Sequence, residues 1–393
     1  MSRGVPKKIF DAVVVGAGGA GVATAGALLH FNQTFRIGWV DPDFSGGRIS
    51  KKYRDVSSNT KTSLFRQYAD AFEPFRQIVA STPKPHAVTV LEALDQNRGC
   101  RLQYAADMLT MLTTGLRRHA NVETHVGTLS RGDFQTSSAS WSMDLDPTNR
   151  GPTQKIFSRN VIMCTGSSPT RIPLPCSSPT ILDLDVVLDR QALRASLPMT
   201  GAGPVVGVIG TSHSAIVAIM NLYELATSTH PHLHIKWFVR SPMTYAVEMD
   251  GWILRDNTGL KGASADFARA HLEDDKLPGS PVGKFLTKVA CPDVRDASMT
   301  PHLDSCTHVV EAIGYTRDPL PLLSVDGTAL EGIISYDPTN GALLDGNGHA
   351  VPHAYGAGIA FPERVTDPAG NTESAVGLWK FIKYLNRVVP TWC

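Results

Sequence analysis

The fold is decided by the stretch Asp11-Ala-Val-Val-Val-Gly-Ala-Gly-Gly-Ala-Gly-Val-Ala-Thr-Ala-Gly-Ala-Leu-Leu29. An apolar run with β-branched residues leads into Gly-x-Gly-x-x-Gly, and small and apolar residues at helical spacing follow, which predicts a buried strand, a turn and a helix. Gly16 permits the tight turn, Gly18 lets backbone approach a pyrophosphate, and Gly21 lets the helix pack close to the strand. Because the N–H groups and dipole at such a helix start attract phosphate, the stretch predicts a dinucleotide-binding unit.

The second predicted strand supports this interpretation. It covers Thr34–Val40 and ends in Asp41, twenty residues after Gly21, where a carboxylate accepts the ribose hydroxyls of an adenine dinucleotide. A later strand, predicted at Val122–Gly127, carries Val126 at the point where such folds lay backbone against an adenine. The alternative is a glycine-rich turn in some other α/β protein.

Length and composition limit the number of domains and the kinds of partner that the protein can have. A chain of 393 residues is long enough for two domains, and a balance of 37 basic to 36 acidic residues argues against a nucleic-acid or membrane partner held by charge. The six cysteines show no Cys-x-x-Cys and no zinc spacing, so we expect free thiols in a reducing compartment and no metal site. The basic segment Met1–Lys8 superficially resembles a signal peptide, but the glycine fingerprint favours the strand–helix interpretation and a cytoplasmic protein.

A second, degraded fingerprint begins at Gly203 and runs through Gly210-Thr-Ser-His-Ser-Ala215. Ser212 stands where the central glycine is expected, and serine is small enough to let a pyrophosphate approach, though less closely. The partner strand His234–Val239 ends in Arg240 rather than in an acid. An arginine there suits a 2′-phosphate, which favours NADP(H) over NAD(H); the alternative is that Arg240 is a solvated strand end.

Two proline-rich crossings bracket the second unit. Arg171–Pro179 follows the strand turn at Thr165-Gly166, and Arg317–Pro321 follows Gly314. Short proline linkers on both sides of one unit predict an inserted domain. The predicted divisions are a discontinuous first domain at residues 1–176 and 315–393 and a second domain at 177–314.

These motifs resemble those of the two-domain FAD/NAD(P)H flavoproteins, and among them class B flavoprotein monooxygenases. Gly210–Ala215 is similar to the Gly-Ser-Gly-Gln-Ser-Ala turn of N-hydroxylating monooxygenases, and Ala312–Tyr315 to their Ala-Thr-Gly-Tyr. Ser57–Lys61 resembles the Asn-Thr-x-Lys segment of flavin-containing monooxygenases, whose asparagine lies near the flavin. Gly46–Arg48 resembles the turn beside the flavin ribityl chain and pyrophosphate.

The resemblance covers nearly the whole chain and implies an α/β fold. Two Rossmann-like, three-layer domains are expected, with the NADP domain inserted into a discontinuous FAD domain. The resemblance also implies that the protein binds FAD and NADP. It implies a monooxygenase that forms a C4a-hydroperoxyflavin and uses molecular oxygen to oxygenate a small organic molecule of the secondary-metabolite type. A homo-oligomer is possible.

Two departures from the family pattern keep alternatives open. The Phe-x-Gly-x-x-x-His signature is absent, and Ile181–Val186 occupies the corresponding region. The C-terminal segments Gly356–Glu363 and Glu373–Phe381 look more like the ends of pyridine-nucleotide reductases, whose redox dithiol this chain lacks. An FAD-dependent reductase, oxidase or dehydrogenase, or a non-catalytic nucleotide sensor, is therefore an alternative to the monooxygenase.

The candidate catalytic residues are Asn59, Thr60 and Lys61, with Asn59 as a hydrogen-bond donor near the flavin N5. The alternative is that Ser57–Thr60 is a polar turn or a helix N-cap. A helix starting at Glu373–Leu378 is predicted to point its N–H groups at the flavin. The predicted cofactor-binding residues are Gly16, Gly18, Gly19, Gly21, Asp41, Gly47, Arg48, Val126, Thr165, Gly166, Gly210, Ser212, His213, Ser214, Arg240, Gly314, Gly356, Gly358 and Glu373.

Overall fold

The computed structural model describes residues 8–199 and 203–392. The N-terminal segment that resembles a signal peptide lies, apart from Lys8, outside the described residues. No helix in the part of the chain that is described is long and apolar enough to cross a membrane.

The helices alternate with strands along most of the chain. The α-helices are α1 (Gly19–Phe31), α2 (Gly47–Lys52), α3 (Thr62–Asp70), α4 (Glu73–Ser81), α5 (Ala87–Glu92), α6 (Leu102–Leu116), α7 (Leu184–Leu188), α8 (Arg190–Ser196), α9 (His213–Ser228), α10 (Gly262–His271), α11 (Thr300–Asp304) and α12 (Leu378–Trp392). Short 3-10 helices cover Leu277–Gly279, Pro281–Lys284 and Ala297–Met299.

The strands are β1 (Ile9–Val15), β2 (Ile37–Asp41), β3 (Ser57–Lys61), β4 (Gly99–Arg101), β5 (Val122–Gln135), β6 (Ser140–Pro147), β7 (Gln154–Met163), β8 (Ser167–Pro169), β9 (Thr180–Leu182), β10 (Val205–Ile209), β11 (His234–Val239), β12 (Val247–Glu248), β13 (Ile253–Leu254), β14 (Leu286–Ala290), β15 (His308–Glu311), β16 (Tyr315–Arg317), β17 (Leu322–Val325), β18 (Thr328–Ala329), β19 (Ser335–Tyr336), β20 (Ala342–Leu344), β21 (Ala350–Gly356), β22 (Glu363–Thr366) and β23 (Thr372–Ala375).

The first sheet has the strand order β18-β17-β5-β2-β1-β7-β21-β20-β19, and β6 pairs with both β5 and β7. Its centre is parallel, because β1 pairs in parallel with β2 and with β7. Side chains alternate between its faces: Ala12 and Val14 join the core under α1 and α12, while Val13 and Val15 join the core around Trp141. One face of the first sheet is thus covered by helices and the other mainly by antiparallel strands.

The second sheet has the order β14-β11-β10-β15-β9, and all four of its pairings are parallel. Val206 and Val208 face the core under α9, whereas Ile209 and Val309 face the core around Leu303 of α11. This sheet therefore has helices on both faces, as buried parallel strands require.

Two chain segments cross between the sheets side by side. β8 leads toward the second sheet, β16 leads back from it, and the two pair in antiparallel fashion with Tyr315 opposite Pro169. All five strands of the second sheet come from residues 180–311, between the segments that build the first sheet. In parallel sheets ligands bind at the carboxyl ends of the strands, so the functional site is sought at those two edges.

Candidate functional site

The first fingerprint turn connects β1 to α1 with no room for side chains at two positions. Gly16 has a φ of +107°, and a Cβ there would overlap the carbonyl oxygen of Cys164 on the neighbouring strand end. A Cβ on Gly21 would overlap the carbonyl oxygen of Gly16. These glycines therefore set the close packing of helix on strand that the sequence pattern predicts.

Gly18 differs from the other two, because its Cβ would meet only the Cα of Gly47, at 3.8 Å. Gly47 itself has a φ of +71°, and a Cβ there would stand 2.7 Å from the Cα of Gly18. Gly18 is also the N-cap of α1 and has no side chain to bond the free N–H groups of the first turn. Two glycine turns thus meet at a helix start with unsatisfied donors, which is the arrangement that binds a pyrophosphate.

Asp41 lies at the end of β2 as predicted, but its carboxylate is already bonded within the protein. Oδ2 accepts a 2.7 Å hydrogen bond from the Ala17 N–H, and Oδ1 accepts from the N–H groups of Asp43 (3.0 Å) and Phe44 (2.7 Å). The side chain is 8% exposed. Asp41 therefore orders the fingerprint turn, and its contact with a ribose stays a prediction, as does that of Val126, its exposed partner in the register of β5.

Buried hydroxyl groups without hydrogen-bond partners in the described residues lie near the first fingerprint turn. Ser45 and Ser50 flank the Gly46-Gly47 turn, and Thr165 and Ser167 flank Gly166 at the end of β7. None of the four hydroxyls has a hydrogen-bond partner among residues 8–199 and 203–392. A buried polar group without a partner costs about 1–3 kcal/mol, so these hydroxyls fit a bound polar ligand such as the ribityl and pyrophosphate groups of FAD.

The C-terminal segment closes over the start of α1. Gly358 has a φ of +90°, and a Cβ there would overlap the Cβ of Ala20; a Cβ on Gly19 would overlap the side chain of Leu378. A Cβ on Gly356 would overlap the ring of Phe361. The segment predicted to cover the cofactor therefore packs directly against the fingerprint helix.

The prediction that Glu373 lies in the first turn of the last helix is wrong, while the orientation of that helix toward a flavin stays a prediction. Glu373 lies in β23, and the helix α12 begins at Leu378. The Glu373 carboxylate accepts hydrogen bonds from the Asn257 backbone N–H (3.0 Å) and Nδ2 (3.2 Å) and from the Thr258 hydroxyl. These protein donors hold Glu373 in a hairpin tied to the loop of residues 256–261, and its contact with a cofactor stays a prediction.

The second fingerprint turn repeats the geometry of the first in part. Gly210 has a φ of +126°, and a Cβ there would overlap the carbonyl oxygen of Ala312 on the neighbouring strand end. Ser212 is exposed and is the N-cap of α9, but its side chain makes no cap hydrogen bond. Gly314 has a φ of +110° and open space around its Cβ position. The turn thus presents free N–H groups at a helix start.

His213 joins the second unit to β3. Its Nδ1 lies 2.9 Å from the Ser264 hydroxyl, and its ring also bonds the Ser57 backbone. Burial lowers the pKa of His213, so the imidazole is neutral at pH 7. His213 is therefore held by protein partners, and its predicted contact with the nucleotide cofactor stays a prediction.

Residues Ser57–Thr60 lie in the strand β3, so their interpretation as a polar turn or helix N-cap is wrong. This strand pairs with β4, and Lys61 is the N-cap of α3 without a side-chain cap bond. Asn59 is exposed, and its Oδ1 accepts a weak 3.4 Å bond from the Thr60 hydroxyl. Lys61 lies 3.3 Å from Glu248. The candidate catalytic strand β3 thus lies next to α10 of the second unit (residues 177–314), because Gly262, the first residue of α10, is adjacent to Ser58 and Asn59.

A polar cluster that the sequence did not reveal lies between the two fingerprint turns. Arg48, predicted to bind the cofactor, forms an ion pair with Asp185 and donates to the Ser168 hydroxyl at 2.6 Å. Tyr53 donates to Asp185 at 2.8 Å, and burial raises the pKa of both Tyr53 and its neighbour Tyr315. We call Arg48, Tyr53, Ser168, Asp185 and Tyr315 the junction cluster. No local motif marks it, because its members come from segments more than a hundred residues apart.

Interactions with Tyr53 and Ser214 lower the pKa of the Tyr315 hydroxyl, although burial raises it more, so Tyr315 lies next to the start of α9. The geometry therefore brings Arg48, which follows the Gly46-Gly47 turn, near Ser214 of the second fingerprint turn. Arg240 lies apart from the junction cluster, exposed at the end of β11 and without an ion pair among residues 8–199 and 203–392.

Known proteins are similar to this chain in sequence and in fold. No family model matches the chain. The monooxygenase AgnR1 of Paecilomyces divaricatus is 48% identical over 384 residues, which is 97% of this chain and 97% of the relative. The FAD-bound cadaverine monooxygenase DfoA of Erwinia amylovora has a TM-score of 0.63 at 12% identity and covers 98% of this chain and 94% of its own.

The ornithine N-hydroxylase KtzI of Kutzneria sp. 744, solved with reduced FAD, NADP+ and L-ornithine, also has a TM-score of 0.63, at 15% identity over 98% of this chain and 99% of its own. At these identities the two solved structures show the fold alone. The relative that is 48% identical confirms the predicted monooxygenase. The chain therefore belongs to the monooxygenase family of AgnR1.

Proposed function

We propose that this protein is an FAD-dependent, NADPH-using monooxygenase that inserts oxygen into a small organic molecule of the secondary-metabolite type. The observation that carries the proposal is the pair of fingerprint turns at the starts of α1 and α9. The junction cluster lies beside both, because its Arg48 follows the Gly46-Gly47 turn that abuts Gly18 and its Tyr315 interacts with Ser214. Two dinucleotides bound at these turns would meet between the sheets. The family membership supplies the reaction class.

We assign FAD to the first unit, at residues 1–176 and 315–393, and NADPH to the second, at 177–314. The first unit has the close backbone approach of Gly18 to Gly47 and the unpartnered hydroxyls beside it. These donors would hold the pyrophosphate and ribityl oxygens, and the segment from Gly356 to Gly358 would exclude water from one side. The second unit has Arg240, whose guanidinium pairs well with a 2′-phosphate.

We assign the oxygen chemistry to the strand that carries Asn59. Bound flavin supplies electron transfer and oxygen activation, and the chain supplies position and hydrogen bonds. Asn59 accepts from Thr60, and its Nδ2 has no acceptor among residues 8–199 and 203–392. An amide can therefore donate to a reacting oxygen while it is oriented by a neighbour, which a carboxylate at neutral pH cannot do.

The location of the protein is a proposal of the same kind. Cys100, Cys164, Cys176, Cys291 and Cys306 are free thiols. Unpaired cysteines are typical of a reducing compartment, so we propose that the enzyme works in the cytoplasm.

The test combines cofactor analysis with an oxygen balance. The purified protein should be yellow and release FAD on heating, and it should oxidise NADPH faster than NADH. Across a panel of small ketones, phenols and primary amines, incubated under labelled dioxygen, at least one product should carry the label. NADPH oxidation that reduces a dye acceptor with no labelled product would indicate a reductase instead. A protein that neither contains nor takes up FAD would contradict the proposal.

A further inference from the structure

A cleft of about 680 Å³ lies among the short helices α3, α4 and α5. All of its lining residues fall between Ser63 and Glu92, so none belongs to a fingerprint turn, to β3 or to the second sheet unit. Its volume is within the range of pockets that hold small organic molecules, roughly 300–1,000 Å³. The cleft is therefore separate from the site assigned to the two cofactors.

His86 lines this cleft and has one ring nitrogen with nothing to bond. The residue is 8% exposed and is the N-cap of α5, where its Nδ1 accepts from the Thr89 N–H at 3.3 Å. The Thr89 hydroxyl accepts in turn from the His86 N–H at 2.8 Å. Because Nδ1 is an acceptor, Nε2 carries the ring hydrogen, and this buried donor has no acceptor among residues 8–199 and 203–392.

Arg66 supplies a second open donor on the same cleft. Its Nη1 donates to the Gln96 Oε1 at 3.1 Å, and its Nη2 lies 3.8 Å from the Glu92 carboxylate. Its Nε is buried and without an acceptor in the described part of the chain. Two buried N–H groups on one cleft cost free energy unless a ligand oxygen accepts from them.

The cleft carries one unpaired cation, Lys84, and one unpaired carboxylate, Asp70, which is exposed and forms no ion pair within the described ranges. Lys84 is exposed and forms no ion pair among residues 8–199 and 203–392. Arg76, by contrast, is already satisfied by the Glu73 Oε2 at 2.8 and 3.0 Å. The apolar part of the lining consists of Ala69, Val79, Ala80 and Val88, and the polar part also includes Ser63, Gln67, Thr89 and Glu92. A ligand with an apolar body and oxygen acceptors matches the apolar residues and the two open N–H donors, and an anionic acceptor would also pair with Lys84.

We propose that this cleft binds an organic carboxylate, with its carboxylate on Arg66 Nε, His86 Nε2 and Lys84 and its apolar body against the alanines and valines. Charge-assisted hydrogen bonds of this kind are about twice as strong as neutral ones. The opposite face of α3 contacts the first fingerprint helix, since the Tyr68 hydroxyl donates to the Gly19 carbonyl oxygen at 2.6 Å. The cleft is thus a second small-molecule site one helix away from the first glycine turn, and it does not depend on the proposed function.

The test is calorimetric titration of the purified full-length protein with 2-naphthoate. Two comparison ligands and three variants isolate the parts of the site. 2-Naphthamide has the same shape without the charge, and inorganic phosphate has the charge without the apolar body. His86→Asn keeps an N-cap acceptor for α5 and removes the Nε2 donor, while Arg66→Met and Lys84→Gln remove the other two contacts. Lys284→Gln is the matched control, because Lys284 is an exposed lysine in the second sheet unit.

We expect saturable binding of 2-naphthoate that weakens about ten-fold or more in His86→Asn and Arg66→Met, and less in Lys84→Gln, with Lys284→Gln unchanged. The amide and phosphate should each bind at least about ten-fold more weakly than 2-naphthoate. Absence of saturable binding at millimolar 2-naphthoate would overturn the proposal. So would equal affinity for the amide or for phosphate, or unchanged affinity in His86→Asn with an unchanged melting temperature.

Discussion

The two strand–turn–helix units of this protein share a backbone arrangement and differ at residues that are predicted to bind or position a cofactor. In the first unit Trp39 donates its indole N–H to the Gly16 carbonyl oxygen at 2.9 Å, and in the second Trp237 donates to the Gly210 carbonyl oxygen at 2.7 Å. Gly16 and Gly210 both have a positive φ and both abut the carbonyl of the next strand end. A common backbone frame therefore supports two turns of different sequence.

The difference lies in Gly18 and Gly21 of the first unit, which correspond to Ser212 and Ala215 of the second. It lies also at the ends of the second strands, because Asp41 is the last residue of β2, whereas Val239 ends β11 and Arg240 follows it. A Cβ on Gly21 would overlap the backbone, whereas the Cβ of Ala215 is accommodated. The first helix thus packs closer to its strand than the second does. We infer that close packing of helix on strand lets the first unit bind the pyrophosphate of FAD, and that the arginine at the strand end lets the second unit bind the 2′-phosphate of NADPH.

The largest expected effect is on the helix contact of the first unit. Gly21→Ala should lower the free energy of unfolding by about 3 kcal/mol or more, because the new Cβ overlaps the Gly16 carbonyl oxygen. The reverse change in the second unit, Ala215→Gly, should cost only about 1 kcal/mol of helix propensity. Urea unfolding followed by circular dichroism measures both. Equal losses in the two variants would contradict the difference in packing.

The next effect tests the shared frame. Trp39→Phe and Trp237→Phe each leave a buried glycine carbonyl without its donor, and each should cost about 1–3 kcal/mol. The two losses should be similar and should add in the double variant, because the sites lie in separate sheets. Thermal melting of the three proteins measures this. A large loss from one tryptophan and none from the other would break the equivalence of the units.

Arg240→Ala tests the charge at the second strand end. Loss of a charge-assisted contact with the 2′-phosphate should weaken NADPH binding ten- to hundred-fold, or about 1.5–3 kcal/mol, and leave NADH binding unchanged. Arg118→Ala removes an exposed arginine from the first unit and serves as the control. Titration of both nucleotides into each variant measures the preference for NADPH over NADH. If this preference is unchanged in Arg240→Ala, either another residue binds the 2′-phosphate or no residue does.

The smallest effect concerns His213, where the first unit has Gly19. Burial lowers the pKa of His213 in the folded protein, so the unfolded chain binds a proton at a higher pH than the folded one. Its contribution to stability is therefore present above the ordinary histidine pKa of 6.5 and is lost as the pH falls below it. We expect wild type to lose up to about 1.4 kcal/mol per pH unit more than His213→Gln on acidification. Unfolding of both proteins at about pH 8 and pH 5.5 measures this, and parallel pH profiles would contradict it.

Local pattern was enough to predict the two units, because strand, turn and helix are each coded by neighbouring residues. Gly16, Gly21, Asp41 and Gly210 lie where their spacing predicts. The end of the chain was harder to predict, since Glu373 belongs to a hairpin whose partners, Asn257 and Thr258, are more than a hundred residues away.

The junction cluster was missed for the same physical reason. Asp185 pairs with Arg48 across 137 residues of sequence, and no sequence motif predicts that these two residues are in contact. The strand Ser57–Lys61 shows a related limit: its polar residues favour a turn, but pairing with β4 makes it a strand. Tertiary contacts decide both features, and a single sequence does not display them.

The most direct test of the account is the FAD content of Gly18→Val and Ser212→Val, purified side by side. A Cβ at Gly18 meets nothing closer than 3.8 Å and Ser212 is exposed, so both chains should fold. The account predicts that Gly18→Val is colourless, with less than about a tenth of the wild-type flavin, because its side chain fills pyrophosphate space. Ser212→Val should keep its full FAD and lose affinity for NADPH. Full flavin in Gly18→Val, or loss of flavin in Ser212→Val, would contradict the assignment of the two cofactors to the two units.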